Sequence, residues 1–159
     1  MRKLVWGVLF LTLLPLAMMG DDTPKAELFG GYSYYRASGG SNLNGWNAAI
    51  AGNINDWLGL VGDFSGHYGS FHQQSYLFGP QISFRKLPMV TPFVHSLFGG
   101  AHIDVTSQNS FAMALGGGVD VKVGPHMAVR AVQLDYVRTG FFGNGQNNTR
   151  LSLGVVLRF

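Results

Sequence analysis

The sequence contains no cysteine, which excludes a disulfide framework and a lipidated cysteine anchor. Charge is also scarce: Asp, Glu, Lys and Arg make up 12% of the 159 residues, against roughly 25% in an ordinary globular chain. A surface covered mainly by solvated charge is therefore excluded. The formal net charge is +3, but Arg2 and Lys3 contribute two of those positive charges, and the remainder carries nine bases and eight acids. That balance is too even for a strongly basic nucleic-acid binder, so no nucleic acid is expected among the partners. Beyond the first twenty residues there is no long apolar run, and no stretch keeps helical periodicity for three turns. A bundle of membrane helices is thus excluded.

Residues 1–20 read as a secretory signal. A basic start at Arg2 and Lys3 precedes an apolar run over residues 4–19, broken only by Gly7, Thr12 and Pro15, and then Asp21 and Asp22. The run falls short of the roughly 18 residues a retained membrane helix needs. Ala17, Gly20 and Ala26 are the small residues available for cleavage. Export without disulfides suits a bacterial envelope, and residues 26–159 are expected to form one domain.

What the chain does have is alternation. Leu151, Leu153, Val155, Leu157 and Phe159 fall on one side of an extended strand, with Arg150, Ser152, Gly154, Val156 and Arg158 on the other. The same split sets Tyr76, Phe78, Pro80, Ile82 and Phe84 against Leu77, Gly79, Gln81, Ser83 and Arg85. It recurs over residues 111–123, where Asp120 and Lys122 share a face with alanines and glycines, and over residues 58–68, where Asp63, Ser65 and His67 oppose Leu60, Phe64 and Tyr68. Residues 46–54 follow suit, and residues 27–35 do so with aromatics on both faces. Over residues 91–104 both parities are apolar, which leaves the facing of His95 open. Over residues 127–138, Gln133 and Asp135 point one way but Arg130 falls on the apolar parity. A charge on a lipid face near midplane costs about 2–4 kcal/mol, so Arg130 either sits at an interface or follows a bulge that reverses the alternation.

These segments amount to eight strands of about ten residues, the length a tilted strand needs to cross a bilayer. The connectors NIND, KLP and GPH are tight, SGGSNLN, TSQNS and TGFFGNGQNN are longer and polar, and GSFHQ is intermediate. The reading is an all-β fold, an eight-stranded antiparallel up-and-down transmembrane β-barrel. Backbone amides cannot stay unpaired in hydrocarbon, so the sheet must close, and eight strands enclose a space that side chains fill. The inward set pairs Glu27, Asp63, Asp120 and Asp135 with Arg85, Lys122, Arg150 and Arg158, an equal inventory that makes ion pairing feasible. Trp46, Tyr34, Tyr68, Phe71, Tyr136, Trp57 and Phe84 lie near strand ends as interfacial girdles would require. An even strand count places both termini on the tight-turn side, the periplasmic one.

The stretches FGGYSYYR, LNGWNAAIAGNINDWLGLVGDFSG, YLFGPQISFR and LSLGVVLRF, in this order, carry a likeness over nearly the whole chain after the leader. In them the sequence resembles the small bacterial outer-membrane β-barrel domain family, which includes OmpA-like transmembrane domains and OmpX-type barrels. The resemblance implies an integral outer-membrane protein, embedded in outer-membrane lipid, without enzymatic activity or cofactor. It also implies that Leu151, Leu153, Val155, Leu157 and Phe159 form the signal read by the outer-membrane assembly machinery. No appended peptidoglycan-binding domain is expected, and with it no wall-anchoring role.

Candidate chemistry is sparse. His67, Ser70 and His72 would need a carboxylate at the same rim to act as a hydrolase, and the nearest acid, Asp63, faces inward. His67, His72 and His102 match no strong metal-ligand spacing, so no metal is expected. Gly116, Gly117 and Gly118 lack the lysine and helix of a phosphate loop, and Asn147, Asn148 and Thr149 read as polar loop rather than a glycosylation site. The expected role is envelope structure, or adhesion and binding through extracellular loops to a ligand of unidentified chemistry. The competing roles are a narrow pore and a soluble lipocalin-like carrier, and the carrier requires the opposite polarity, apolar inside and charged outside. Leu153→Arg should impair assembly far more than a polar change within TGFFGNGQNN, measured as the yield of folded protein; equal yields would overturn the assigned facing.

Overall fold

The alternation described above becomes strand because each segment offers one parity to a crowded polar interior and the other to an apolar exterior. A computed structural model describes residues 23–105, 107–140 and 143–159; the expected signal over residues 1–20 lies outside the described residues. The strands are β1 (Ala26–Arg36), β2 (Asn42–Asn53), β3 (Leu58–Tyr68), β4 (His72–Ser83), β5 (Val90–Ile103), β6 (Gln108–Gly124), β7 (Met127–Thr139) and β8 (Gln146–Arg158). Each pairs antiparallel with the next, and β8 returns to β1, so the eight strands form a closed up-and-down barrel. The expected fold class is the observed one.

Closure leaves no open edge. The seam runs from Glu27↔Arg158 to Arg36↔Thr149. It is tied off by Phe159, whose amide donates to the Ala26 carbonyl at 2.9 Å and whose oxygen accepts the Lys25 amide at 2.7 Å. Along the seam Gly31 and Gly154 are register partners, and a β-carbon on Gly31 would fall on the carbonyl oxygen of Leu153. Two missing side chains let the closing strands approach.

The outer wall is apolar. Leu28, Ile50, Leu60, Phe64, Phe78, Ile82, Val94, Phe98, Leu115, Leu134, Leu153 and Val155 are all exposed. Trp46, Tyr68 and Tyr136 stand towards one end and Trp57 and Phe84 towards the other, all exposed, whereas Tyr34 and Phe71 are half-buried. At the first end aromatic polar groups find partners on the wall: Tyr136 Oη donates to Asn147 Oδ1 at 2.6 Å, and Trp46 Nε1 donates to Tyr68 Oη at 3.4 Å. Amphipathic rings with a wet tip and an apolar body suit a membrane interface.

Two open points of facing are decided here. His95 is buried and faces inward. Arg130 also faces inward, because β7 carries a bulge: its pairing with β6 steps from Val119↔Val132 to Asp120↔Arg130, leaving Ala131 as an extra residue, and its pairing with β8 is broken between Arg130 and Gln133. One added residue reverses the parity and spares the cost of a charge on the outer wall.

The expected contrast between tight and long connectors is not observed. Residues 37–41, 69–71, 104–107 and 140–145 connect strands at one end, and residues 54–57, 84–89 and 125–126 at the other. The polar stretches expected as loops are largely strand: Asn42 and Asn44 pair with Arg36 and Tyr34, and Asn147 and Thr149 with Arg138 and Tyr136. Polarity there marks where the wall meets water, and the ladder continues beyond that level because its own hydrogen bonds do not depend on the solvent outside. Filling the seam should destabilise the barrel: Gly154→Val is expected to cost about 1–3 kcal/mol by overpacking, read from denaturant unfolding in lipid vesicles, and an unchanged midpoint would refute the close approach.

Candidate functional site

The candidate site is the filled interior. Register alone sets three of its ion pairs, since Glu27↔Arg158, Asp120↔Arg130 and Asp135↔Arg150 are cross-strand partners. Arg158 Nε lies 2.9 Å from Glu27 Oε1, and Arg130 grips Asp120 through Nε and Nη2 at 2.8 and 3.1 Å. Arg150 donates Nε and Nη2 to Asp135 Oδ2 at 2.9 and 2.7 Å.

Further contacts span the lumen. Arg150 also donates to Asp63 on β3, Nη1 to Oδ1 at 2.7 Å and Nη2 to Oδ2 at 3.2 Å. Arg85, in the connector after β4, reaches both oxygens of Glu27 at 3.1 and 3.2 Å. His95 Nε2 on β5 donates to Asp135 Oδ1 at 2.6 Å. Gln133 joins two of these groups, accepting from Arg130 Nη1 at 2.7 Å and donating to Asp135 Oδ2 at 2.8 Å. Asn47 donates to Asp63 Oδ2 at 2.9 Å. The guanidinium of Arg130 lies 4.3 Å from the ring centroids of both Phe29 and Phe93, which project from opposite walls, β1 and β5. Cation–π contact of this kind is worth most where water is excluded.

Of the residues expected inside, Glu27, Asp63, Arg85, Asp120, Asp135, Arg150 and Arg158 belong to this lattice. Lys122 does not. It is exposed, close to a register irregularity between Lys122 and Gly124 that ends β6, and its long stem carries the ammonium into solvent. Arg130 takes its place, which keeps four acids opposite four bases. His95, Gln133 and Asn47 were not singled out as members; the inward parity of Gln133 and Asn47 was readable, but that of His95 was not.

The interior leaves little free space. A cavity of about 10 Å³ lies among Glu27, Asp63, Gln81, His95 and Arg130, close to the minimum that one water occupies. Towards the end with connector 69–71, Ser33 Oγ is hydrogen-bonded to His67 Nε2 at 2.8 Å and to Ser152 Oγ at 3.0 Å, and Ser65 to Ser75 at 2.6 Å. Here a serine does meet a histidine, but both are buried in the lumen. Ser70 is exposed in its connector, and Asp63 is committed to Arg150 and Asn47. The rim arrangement of His67, Ser70, His72 and a carboxylate is not assembled.

Of the terminal set, Leu153, Val155 and Leu157 are exposed on the outer wall and Leu151 and Phe159 are half-buried. Truncating the lattice at its centre is the sharpest probe of it. Arg150 is 1% exposed and contacts two carboxylates, so Arg150→Gln leaves buried negative charge uncompensated and should destabilise the barrel by about 3–5 kcal/mol. Equilibrium unfolding in lipid vesicles measures this, and a change under 1 kcal/mol would show that the lattice is hydrated.

No protein-family model matches the sequence, and no curated protein matches it either. Solved structures do. Neisserial surface protein A is similar at TM-score 0.62 and 19% identity, covering 84% of this chain and 96% of its own. The N-terminal β-barrel domain of Pseudomonas aeruginosa OprF matches at TM-score 0.62 and 15% identity, covering 84% and 98%. Ail, the attachment invasion locus protein of Yersinia pestis, matches at TM-score 0.58 and 17% identity, covering 86% and 99%. In its closed eight-stranded antiparallel barrel with an apolar exterior and an ion-paired interior, the chain has the fold of the small outer-membrane β-barrels of bacteria.

Proposed function

We propose that this chain is an integral outer-membrane barrel that acts without enzymatic chemistry, serving envelope structure or surface binding, and that it does not conduct ions. The observation that carries the reading is its polarity. Large apolar side chains cover the outside while four carboxylates and four guanidiniums neutralise one another within. A soluble carrier of an apolar ligand requires the reverse arrangement. Conduction requires a wet path, whereas here Arg150 is clamped between β3 and β7 and Arg130 between two aromatic rings.

In this reading residues 1–20 direct export and residues 26–159 are the inserted domain; an even strand count keeps both of its ends with connectors 54–57, 84–89 and 125–126, and that side is assigned to the periplasm because exported barrels of this kind insert from there, not because its turns are shorter. Leu151, Leu153, Val155, Leu157 and Phe159 present an alternating apolar face with a terminal ring to the assembly machinery before the seam closes, and contact lipid afterwards. Surface binding finds support in a structural neighbour, the Yersinia protein Ail, which has been solved in complex with the heparin analogue sucrose octasulfate. Because the outward connectors of this chain are six residues or shorter, the binding surface would be the rim and the upper wall rather than extended loops.

The barrel should be extracted from membranes only by detergent and should migrate faster on gels before heating than after. Recovery as a folded monomer from plain buffer would overturn membrane residence. In planar bilayers the purified protein should give no reproducible current steps; stable steps that Asp120→Asn abolishes would establish the narrow pore instead.

A further inference from the structure

At the end of the barrel that carries connector 104–107, two histidines address one carboxylate on the outside of the wall. His72 begins β4, His102 lies next to the end of β5, and Asp104 follows it directly. The last rung of the β4–β5 ladder, Asp104 amide to His72 carbonyl at 3.2 Å, sets the first pair side by side. His72 Nδ1 lies 3.8 Å from Asp104 Oδ2, and His102 Nε2 lies 3.4 Å from Asp104 Oδ1. All three are accessible, with side-chain exposures of 56%, 33% and 47% for His72, His102 and Asp104.

Three features make this more than a polar rim. The first is tautomer. His102 Nδ1 lies 2.8 Å from Asn109 Oδ1, its partner across β5 and β6, so that nitrogen carries the proton and, in the neutral ring, Nε2 is left with a bare electron pair 3.4 Å from a carboxylate oxygen. Two facing electron pairs repel unless a cation lies between them. The second is distance. Separations of 3.4 and 3.8 Å exceed a direct hydrogen bond, but donors each bound to a tetrahedral zinc ion stand about 3.3 Å apart. The third is support. A metal-bound imidazole ordinarily donates its other N–H to an oxygen acceptor, the role Asn109 already fills, and the ring of Tyr68 stands edge-on to His72 at 5.2 Å, which limits its tilt.

We propose that His72, His102 and Asp104 bind a borderline divalent transition-metal ion, of which zinc is the representative, on the outer rim of the barrel. Two neutral imidazoles and one carboxylate suit such an ion far better than calcium or magnesium, which prefer oxygen ligands. Among the described residues no three such side chains are placed, as they stand, to hold a metal ion; the two rings address different oxygens of Asp104, so binding requires side-chain rotation that brings all three onto one position. Their exposure leaves room for that adjustment, most of all at His72 and Asp104, whose side chains are 56% and 47% exposed. With three protein ligands, a tetrahedral ion keeps a fourth position for water or an external donor.

Calorimetric titration of the full chain, folded in detergent micelles near neutral pH, with zinc chloride tests the site. One ion per barrel is expected, with no binding of magnesium. His72→Gln and His102→Gln should each weaken binding at least tenfold, Asn109→Ala by about tenfold to a hundredfold, and His126→Gln, at the opposite end, not at all. Heat-dependent gel migration confirms that each variant is folded. Absence of saturable binding in the parent protein, or binding undiminished in the double variant His72→Gln/His102→Gln, overturns the proposal. A parent protein that binds no zinc, but whose His102 ring stays protonated well above the usual range by NMR, would identify a proton rather than a metal as the shared cation.

Discussion

The guanidinium of Arg150 is sealed from bulk solvent. It is buried on β8 and must place its charge on Asp63 and Asp135, which belong to β3 and β7. That requirement links strands far apart in the chain and propagates outward: Asp135 holds His95 and Gln133, Gln133 holds Arg130, Arg130 holds Asp120, and Asp120 and Glu27 share Arg158. The hydrogen-bonded ladder closes the wall, but a closed wall of eight strands could distort in many ways. The cross-lumen ties hold its opposite sides at set distances.

Such a lattice is not a cheap source of stability. Buried ion pairs regain in attraction and hydrogen bonds roughly what desolvation costs, and apolar packing of the same volume would often be as good or better. What the pairs supply is selection among registers. Shifting β8 by one residue would move Arg150 and Arg158 from the interior to the apolar wall, leaving Asp63 and Asp135 without a guanidinium and Glu27 with Arg85 alone. Across the apolar belt of the wall, misregistered contacts differ little from one another, so discrimination there comes from inside.

The two surfaces of the barrel therefore divide its tasks. The apolar wall and its aromatic borders match a hydrocarbon layer, while the interior is occupied by its own charges. In the proposed reading, binding falls to the ends. With short connectors at both, the end bearing residues 37–41, 69–71, 104–107 and 140–145 offers a shallow rim of asparagine, tyrosine, histidine and aspartate side chains on continuing strands. Any recognition proposed there would depend on side chains fixed by a β-ladder, an arrangement suited to small, well-defined contacts.

Much of this was legible because a strand's period of two is local: the facing of Leu153, Asp120 or Arg158 follows from counting. The strand number and the inward parity of most lattice members followed in the same way. Where both parities were apolar, as around His95, counting had nothing to act on; at Arg130 a bulge of one residue reset the count, and only the pairing with both neighbours reveals it. Lys122 had the right parity but lies so near the strand end that its side chain reaches water. The polar stretches around Asn42 and Asn147 looked like loops because sequence polarity reports contact with water, not loss of hydrogen-bonded pairing. Local alternation by itself determined the all-β class and the polarity of the two faces; the balance of charge inside needed the bulge in β7, which brings Arg130 in where Lys122 stays out. Which acid meets which base across the lumen, and the meeting of His72 with Asp104, were decided only when closure of the sheet brought distant strands together, since contacts across a barrel depend on register and curvature that no single strand contains.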